Sequence, residues 1–500
     1  MAPTATGSRC LCPHYILRWL HGDVVPVFKT GFEQKHTKDT KVRKRIARLN
    51  LPLLELCLWG YCLLTVLCAG AVTYRYRSLF NPLLYPSLQL LVMAGLAPLI
   101  HDVAHSKQLD QDWWIEASLT TSLYLFGLTW PFLTPLNPLL PACELLLGPC
   151  ELARRRTGDR SQRTPQMLCL LYFGGLIVLA GVLYYQLLQE SPVGLLWLIN
   201  PRMAYLGGRA GNGHWYVLSQ TCLFLAYLGW LYYGRIRDRF VLLAGTVVFL
   251  WAFSYFGSKA AMVGVIMAGG IYFNYFVRTF TWGEVAVAAG LGVPMVLISP
   301  WLQGNFESLK ETLQYYDYFD NAARYVGRSE NFGPNYGGTL LSSLWEYVPR
   351  RIWPTKPFVY GSIVVNEHFY PGAAEVGYTP GYLPWIPYHL DFGVTGVAVG
   401  ASIFGFLNKA IYTYFLRHRS FLGFLCYLQV AFIPVLKLAP VLYFVGMLVL
   451  LALSLRAFVL IGNILLNQDH SLQTVPIGSA TNEPDSKPSE SGFRRVFSHG

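Results

Sequence analysis

The sequence predicts an all-α polytopic membrane protein with about twelve transmembrane helices and one large loop between them. Of its 500 residues, 53% are hydrophobic and 13% are charged, whereas roughly 25% of residues are charged in soluble domains. Several apolar runs reach the length of about 18 residues that a membrane-spanning helix needs. The loop, residues 303–383, interrupts this pattern because it is polar and rich in aromatic residues.

The order of apolar runs predicts the domain organisation. We expect a basic tail (1–50), nine spans (51–302), the loop (303–383), three further spans (384–463) and a disordered tail (464–500). The predicted spans are 53–73, 83–101, 114–132, 136–153, 166–188, 215–233, 240–257, 260–277, 283–302, 384–415, 420–436 and 440–462. Prolines separate 114–132 from 136–153, so a re-entrant or broken helix is an alternative there.

Loop charge predicts the orientation, because cytoplasmic loops carry the excess of Lys and Arg. With the N-terminus inside, the cytoplasmic segments hold 25 of these residues and the opposite side holds 12. Both tails are therefore expected inside and the long loop outside. The first 50 residues contain ten Lys or Arg and no long apolar core, unlike a cleavable signal peptide. The net charge of +12 faces anionic lipids, so no nucleic acid is an expected partner.

The loop itself has predicted order. Apolar positions from Asn305 to Gly327 step by three or four, which is typical of an amphipathic surface helix. A short apolar helix is expected at 340–347, and the proline-rich stretch 354–384 is expected to be extended. Seventeen of the 81 loop residues are Phe, Tyr or Trp. Such rings suit the faces of sugars or the bilayer interface, and both interpretations stay open.

A cluster of three cations in the loop predicts an anion site. Arg350, Arg351 and Lys356 lie among Pro349, Pro354 and Pro357, which restrict the backbone. Arginine binds phosphate in a bidentate manner and lysine acts as a point charge. The alternative is ordinary snorkelling of long basic side chains to the headgroups.

Other cations on the predicted outer side are candidates for the same site. Lys259 lies between two apolar spans with almost no loop, where an unpaired charge is costly. Arg209 lies with Arg202 and His214 in a glycine-rich outer loop. Arg324 and Arg328 end the amphipathic helix and suit either its dipole or an anion.

The candidate catalytic bases are Glu375, His389, His368 and Asp391. A base must reach the proton that it removes, and the sequence does not give that distance. An acid a short way into a span, as Asp391 is, predicts a functional role. The chain has no Walker A loop, no G-x-S-x-G and no H-E-x-x-H. An outer site then needs a donor that carries its own activation, such as a lipid-linked pyrophosphate, and we expect neither a metal nor a cofactor.

Residues 349–357, Pro-Arg-Arg-Ile-Trp-Pro-Thr-Lys-Pro, resemble the P-R-x-I-W-P-x-K-P signature of bacterial O-antigen and oligosaccharide repeat-unit polymerases. Residues 377–380 and 390–396 are similar to the family's T-P and N-F-G-x-x-G elements, and 257–261 to its S-R/K-A helix start. The resemblance covers roughly residues 254–400. Asp391 stands where the family more often has Asn, and the arginine doublet adds a second charge.

The resemblance implies a GT-C-like glycosyltransferase bundle in the bacterial inner membrane. Such polymerases join oligosaccharide units carried on undecaprenyl pyrophosphate, and they release the lipid pyrophosphate. Implied sugar-binding residues are the loop aromatics Trp353, Tyr347, Tyr378 and Tyr382. Expected partners are the lipid-linked oligosaccharide, membrane lipids, a chain-length regulator and a flippase. Two alternatives stay open: an O-antigen ligase, which transfers glycan to lipid A core, and a transporter or flippase of lipid-linked sugars.

Overall fold

The computed structural model describes most of the predicted helices and about half of the long loop. It describes residues 40–100, 111–148, 163–201, 204, 213–281, 283–284, 317–329, 334–348, 352–357, 359–369, 381–432 and 438–471. The chain divides into a short unit, Met1–Leu53, and a large unit, Leu54–Gly500. Of the short unit, only the start of the first helix is described.

The described residues form helices and turns, with no strand among them. The α-helices are α1 Thr40–Tyr76, α2 Leu84–Leu90, α3 Ala97–Ile100, α4 Gln111–Leu133, α5 Leu140–Leu147, α6 Arg163–Glu190, α7 Leu196–Ile199, α8 Gly213–Tyr233, α9 Arg239–Ser254, α10 Lys259–Tyr272, α11 Tyr318–Ser329, α12 Gly338–Ser342, α13 Ser362–Phe369, α14 Ile386–His418, α15 Phe421–Phe432 and α16 Leu438–Ser471. Two π-helical segments, Leu91–Leu96 and Phe273–Val277, follow α2 and α10, and a 3-10 helix, Ser343–Tyr347, follows α12.

The long helices have the character of membrane spans. In the part of the chain that the structure describes, five segments are long and apolar enough to cross a bilayer: Glu55–Tyr76, Gln166–Glu190, Ala260–Val277, Ile386–His418 and Tyr443–Leu465. Their outer faces carry exposed apolar side chains, such as Leu63, Val178 and Leu450, which favour lipid over water as the surrounding solvent. The described residues form an all-helical membrane protein, as predicted.

Hydrogen bonds gather several helix termini at one end of the bundle. The Tyr275 hydroxyl lies 2.8 Å from that of Ser78 and donates to the Phe80 carbonyl oxygen. The Arg419 guanidinium donates to the Tyr275 carbonyl oxygen over 2.8 Å. The Tyr232 hydroxyl donates to the carbonyl oxygen of Arg419. We call this the arginine end, formed by residues 74–81, 131–147, 232–239, 273–281 and 409–421. The opposite termini form the loop end.

The structure corrects the predicted span at 136–153, because α4 ends and α6 begins at the same end of the bundle, where Gln166 donates to the Tyr233 carbonyl oxygen over 2.6 Å. The described residues between them include α5, and residues 149–162 lie outside the described part of the structure. Helix α5 lies at the arginine end, where Glu144 pairs with Arg417 at 2.8 Å. Hydropathy identified its apolar residues and did not distinguish a short returning helix from a span.

A buried lysine holds the turn between α4 and α5. The amine of Lys409, which is 4% exposed, donates over 2.6–2.9 Å to the carbonyl oxygens of Pro131, Thr134 and Leu136. A helix ending at prolines leaves carbonyl groups without an intrahelical partner. Lys409 supplies the missing donors and fastens the turn between α4 and α5 to α14.

This turn changes the side assigned to the preceding helices. Twelve alternating spans would place residues 74–82 opposite the connection 234–239, whereas the contacts above place both at the arginine end. One crossing fewer reverses the direction of α1, α2 and α4. In the large unit, the first span therefore starts at the loop end, and the expected side of residues 74–82 is corrected.

Candidate functional site

The start of α14 is the centre of the loop end. Gly393 adopts φ 65° and ψ −159° within this helix, a conformation that side-chain-bearing residues rarely adopt. The helix is broken there, and the first turns, 386–392, take their own direction. The carbonyl oxygen of Leu390 accepts a hydrogen bond from the backbone N–H of Asn335 over 2.9 Å. The break thus joins the membrane helix to the loop.

Asp391 fastens the next loop helix to the same point. Its side chain is fully buried. One carboxylate oxygen accepts from the Thr339 amide and the other from the Leu340 amide, each over 2.9 Å. These amides belong to the first turn of α12, where N–H groups lack intrahelical partners and the helix dipole favours an anion. Asp391 therefore caps α12 from another helix, and the catalytic role expected from the sequence stays a prediction.

His389 lies beside Asp391 in a ring of aromatic side chains. Its Nδ1 is 3.1 Å from the Tyr325 hydroxyl, and its ring lies 5.8 Å from that of Trp385. The indole N–H of Trp385 donates to Thr121 on α4 over 3.0 Å. Burial, together with the nearby Asp391 carboxylate, raises the pKa of the Tyr325 phenol, so this group stays protonated at neutral pH. His389 is half-buried and has a fixed ring orientation.

Helix α11 brings Tyr325 to this place. Asp317 caps the helix by accepting from the amides of Phe319 and Asp320. Phe319 packs against Trp114 of α4 at 5.3 Å between ring centroids. The buried residues of α11 are Phe319, Ala322, Ala323, Tyr325 and Val326. The apolar face predicted between 305 and 327 is present here, although residues 305–316 lie outside the described residues.

The two arginines of α11 have different surroundings. Arg324 donates to Asp320 one turn earlier over 2.9 Å, and such an exposed pair contributes little to stability. Arg328 is exposed at the last turn of the helix, where a cation complements the helix dipole. Arg328 has the more accessible charge of the two for an anionic ligand.

Lys356 organises the described part of the proline-rich motif. It is 6% exposed, its amine donates to the Val348 carbonyl oxygen over 3.0 Å, and it lies 4.5 Å from the centre of the Tyr360 ring. The Lys356 amide donates to the Trp353 carbonyl oxygen over 3.1 Å. Lys356 therefore joins residues on both sides of 349–351. We call the contacts of Lys356 with Val348, Trp353 and Tyr360 the clamp.

Trp353 and its neighbours complete the clamp. Its indole N–H donates to Thr355 over 3.1 Å, and its ring meets that of Trp345 edge-on at 5.4 Å. The 3-10 helix that contains Trp345 packs against α16. Gly361, at φ 53°, donates its amide to the Ser342 hydroxyl over 2.9 Å, and α13 begins directly after it. Helix α13 lies in a stretch that was expected to be extended.

The structure describes the remaining predicted site residues in part or not at all. Tyr382 is half-buried and packs against the core. Lys259 is the first residue of α10, and the Ser258 hydroxyl accepts from the Ala261 amide in the same turn. The side chains of Lys259, His368 and Tyr347 lie outside the described part of the structure, as do residues Arg350, Arg351, Glu375, Arg209, Arg202 and Tyr378 as a whole.

Sequence reasoning missed three residues of this site: Tyr325, Tyr360 and Ser342. Tyr325 belongs to the buried face of α11, and its spacing identified it as apolar without indicating a contact with His389. Tyr360 lies four residues after Lys356, which is a weak signal for a cation–π contact in an irregular segment. Among the described residues, no group of three or more His, Cys, Asp or Glu could hold a metal ion.

The chain was compared with known proteins. It is 25% identical over 280 residues to the O-antigen polymerase of Salmonella typhimurium, covering 51% of this chain and 64% of the relative. The same identity and coverage hold for the O-antigen polymerase of Salmonella typhi. This chain is similar to O-antigen polymerases. The matches confirm the resemblance to the repeat-unit polymerase family and support a multi-pass membrane protein of polysaccharide biosynthesis.

The similarity covers only part of each protein. The chain spans 64% of the length of the O-antigen polymerases that it matches. No family model matches the chain, and no solved structure matches it.

Proposed function

We propose that this protein is a repeat-unit polymerase of the bacterial inner membrane. It would transfer a growing glycan from undecaprenyl pyrophosphate to the terminal sugar of a new lipid-linked unit, releasing undecaprenyl pyrophosphate. The observation that carries the proposal is the similarity to O-antigen polymerases over 280 residues. The arrangement of the loop end supports it, because the described residues on either side of the arginine doublet, Val348 and Lys356, belong to the same end of the bundle as the histidine held by Tyr325.

The distribution of cations supports a periplasmic site. The arginine end carries Arg75 and Arg77, the three arginines of 234–239, Arg278, Arg417 and Arg419. The short connections of the loop end carry fewer Lys and Arg. Because short cytoplasmic loops are the more basic ones, we assign the arginine end to the cytoplasm and the loop end to the periplasm.

The termini follow from the same assignment. Helix α16 runs from the loop end to the arginine end, since Gly462 lies against Leu168 near the start of α6. We therefore propose that the C-terminal tail is cytoplasmic. The cytoplasmic side expected for the basic N-terminal tail stays a prediction. Reporter fusions after residue 50 and after residue 471 test the side of each terminus.

In the proposed reaction, the acceptor hydroxyl attacks the anomeric carbon of the donor glycan. The bond between that carbon and the pyrophosphate oxygen breaks, and the pyrophosphate leaves with its lipid and the bonding electron pair. Arg350 and Arg351 would neutralise the charge that develops on this leaving group. Lys356 would keep their segment in shape through Val348, and Lys259, Arg328 and Arg209 are additional candidates for the anion. We expect no metal in this reaction.

His389 is our first choice for the base that takes the acceptor proton. In the tautomer whose Nδ1–H donates to the Tyr325 oxygen, Nε2 of His389 carries the lone pair that accepts a proton. The histidine and its tyrosine are held by α4, α11 and α14, so the ring has one orientation. Glu375 and His368 remain alternatives. Trp353, Tyr347, Tyr378 and Tyr382 are proposed to hold sugar rings.

Polysaccharide ladders from cells test this proposal. Lanes compare the wild type, a deletion, Arg350→Ala, Arg351→Ala and His389→Gln, with membrane insertion checked by immunoblot. We expect the deletion and the arginine variants to leave lipopolysaccharide with a single repeat. An unchanged ladder in the deletion refutes the polymerase. Lipopolysaccharide without any repeat, with accumulated lipid-linked polymer, indicates a ligase. Normal chain length in both arginine variants refutes the proposed anion site.

A further inference from the structure

A cavity of about 320 Å³ lies among five helices of the bundle, apart from the residues described above. Its walls come from α8, α9, α10, α15 and α16. This volume falls in the range of about 300–1,000 Å³ typical of small-molecule sites. Because the walls are apolar helices of the bundle, the cavity lies within the predicted membrane region. The cavity lining is Gln220, Thr221, Phe224, Leu225, Phe253, Ala261, Gly264, Leu425, Gln429, Tyr443, Phe444 and Met447.

On three of its five helices, the polarity of the cavity lining changes along the membrane normal. Three of its helices each contribute a polar residue one turn nearer the loop end than an apolar one. The pairs are Gln220 and Phe224 on α8, Gln429 and Leu425 on α15, and Tyr443 and Met447 on α16. Helix α15 runs opposite to α8 and α16, so the agreement of the three pairs is a property of the cavity and not of one helix. The ligand that fits has a polar head toward the loop end and an apolar body below it.

One polar atom of the lining has no protein partner. The amide nitrogen of Gln220 is buried and has no hydrogen-bond partner among the described residues. A buried donor without a partner is destabilising, so a ligand acceptor that reaches this nitrogen would be stabilised. Gly264 adds free space on the facing helix, because a Cβ built there meets no described atom within 4 Å.

We propose that this cavity binds the phosphate-proximal isoprene units of the polyprenyl carrier, with the first phosphate oxygen accepting from Gln220. The inference rests on the proposed function and adds the location of the carrier lipid. Two connections favour this occupant. Helix α10, which lines the cavity with Ala261 and Gly264, begins at Lys259. Helix α16, which lines it with Tyr443, Phe444 and Met447, packs against the 3-10 helix that leads to the arginine doublet.

The test measures lipid binding by the purified full-length protein in detergent. The probes are undecaprenyl phosphate, undecaprenol and phosphatidylglycerol, and the readouts are the dissociation constant and the rise in melting temperature. Gly264→Leu fills the cavity. Gly175→Leu is the matched control, since Gly175 is exposed on α6 and a Cβ there also meets no described atom within 4 Å. Ala261→Leu is a second filling variant if Gly264→Leu does not fold.

We expect undecaprenyl phosphate to stabilise the wild type and Gly175→Leu equally. In Gly264→Leu, its dissociation constant should rise at least about tenfold, which corresponds to losing the burial of about two methylene groups. Gln220→Met should weaken binding of undecaprenyl phosphate and leave binding of undecaprenol unchanged. Equal binding by Gly264→Leu and the wild type overturns the proposal, and so does phosphatidylglycerol binding that matches undecaprenyl phosphate in every variant.

Failure of this inference differs from failure of the proposed function. A normal ladder in the deletion, together with cavity-dependent binding of undecaprenyl phosphate, refutes the polymerase and leaves the lipid site. A ladder that collapses in the deletion and stays normal in Gly264→Leu, with binding unchanged, supports the polymerase and refutes the lipid site.

Discussion

The contrast between Asp391→Asn and Asp391→Ala decides whether this buried acid is a structural cap or a catalytic group. The aspartate is fully buried and accepts from the amides of Thr339 and Leu340, each over 2.9 Å. Alanine leaves two buried amides without an acceptor, at about 1–3 kcal/mol each. Asparagine keeps one acceptor oxygen. We therefore expect a loss of about 2–6 kcal/mol for alanine and about half of that for asparagine.

The assay is thermal unfolding of the purified protein in detergent, followed by tryptophan fluorescence, beside the polysaccharide ladder of the same variants. Alanine should lower the melting temperature strongly and asparagine moderately, and elongation should fall in the same order. Asparagine cannot act as a carboxylate base. If it abolishes elongation while its melting temperature equals that of the wild type, the cap interpretation is refuted and Asp391 returns to the catalytic candidates.

Three further predictions concern the residues that shape the two ends of the bundle. Lys409→Met should lower the melting temperature and the amount of inserted protein, because three carbonyl oxygens lose their donor; unchanged unfolding would show that the turn does not depend on this amine. Tyr325→Phe should reduce elongation about 2- to 10-fold, the equivalent of one hydrogen bond of about 0.5–1.5 kcal/mol. Its raised pKa keeps the phenol protonated below pH 10, so the alkaline limb of the rate–pH profile should be the same in Tyr325→Phe and the wild type; a shifted limb contradicts this. Lys356→Met should reduce elongation more than Lys356→Arg, because arginine can still donate to Val348 and lie over Tyr360; equal rates in both variants and the wild type would exclude the clamp.

The sequence alone determined the fold class and the region of interest. Apolar runs predict membrane helices because the bilayer sets their length, and the described residues form helices joined by turns. The motif at 349–357 led to a resemblance to O-antigen polymerases, and the chain is 25% identical over 280 residues to one of them. The start of α10 at Lys259 and the helical pattern of α11 also follow from local rules of capping and periodicity.

The tertiary structure decided where segments meet, which hydropathy does not encode. The apolar stretch that contains α5 has the hydropathy of a span, and only the structure shows that Lys409, 278 residues after Pro131, holds the preceding turn. In the sequence, Asp391 is an acid inside an apolar span. Only the structure shows that its carboxylate accepts from two backbone amides of α12. The contact of His389 with Tyr325 is likewise visible only in the structure. So is the cavity beside Gln220, because its polar and apolar residues come from helices that run in opposite directions. Each is a contact between residues distant in sequence, and only packing creates it.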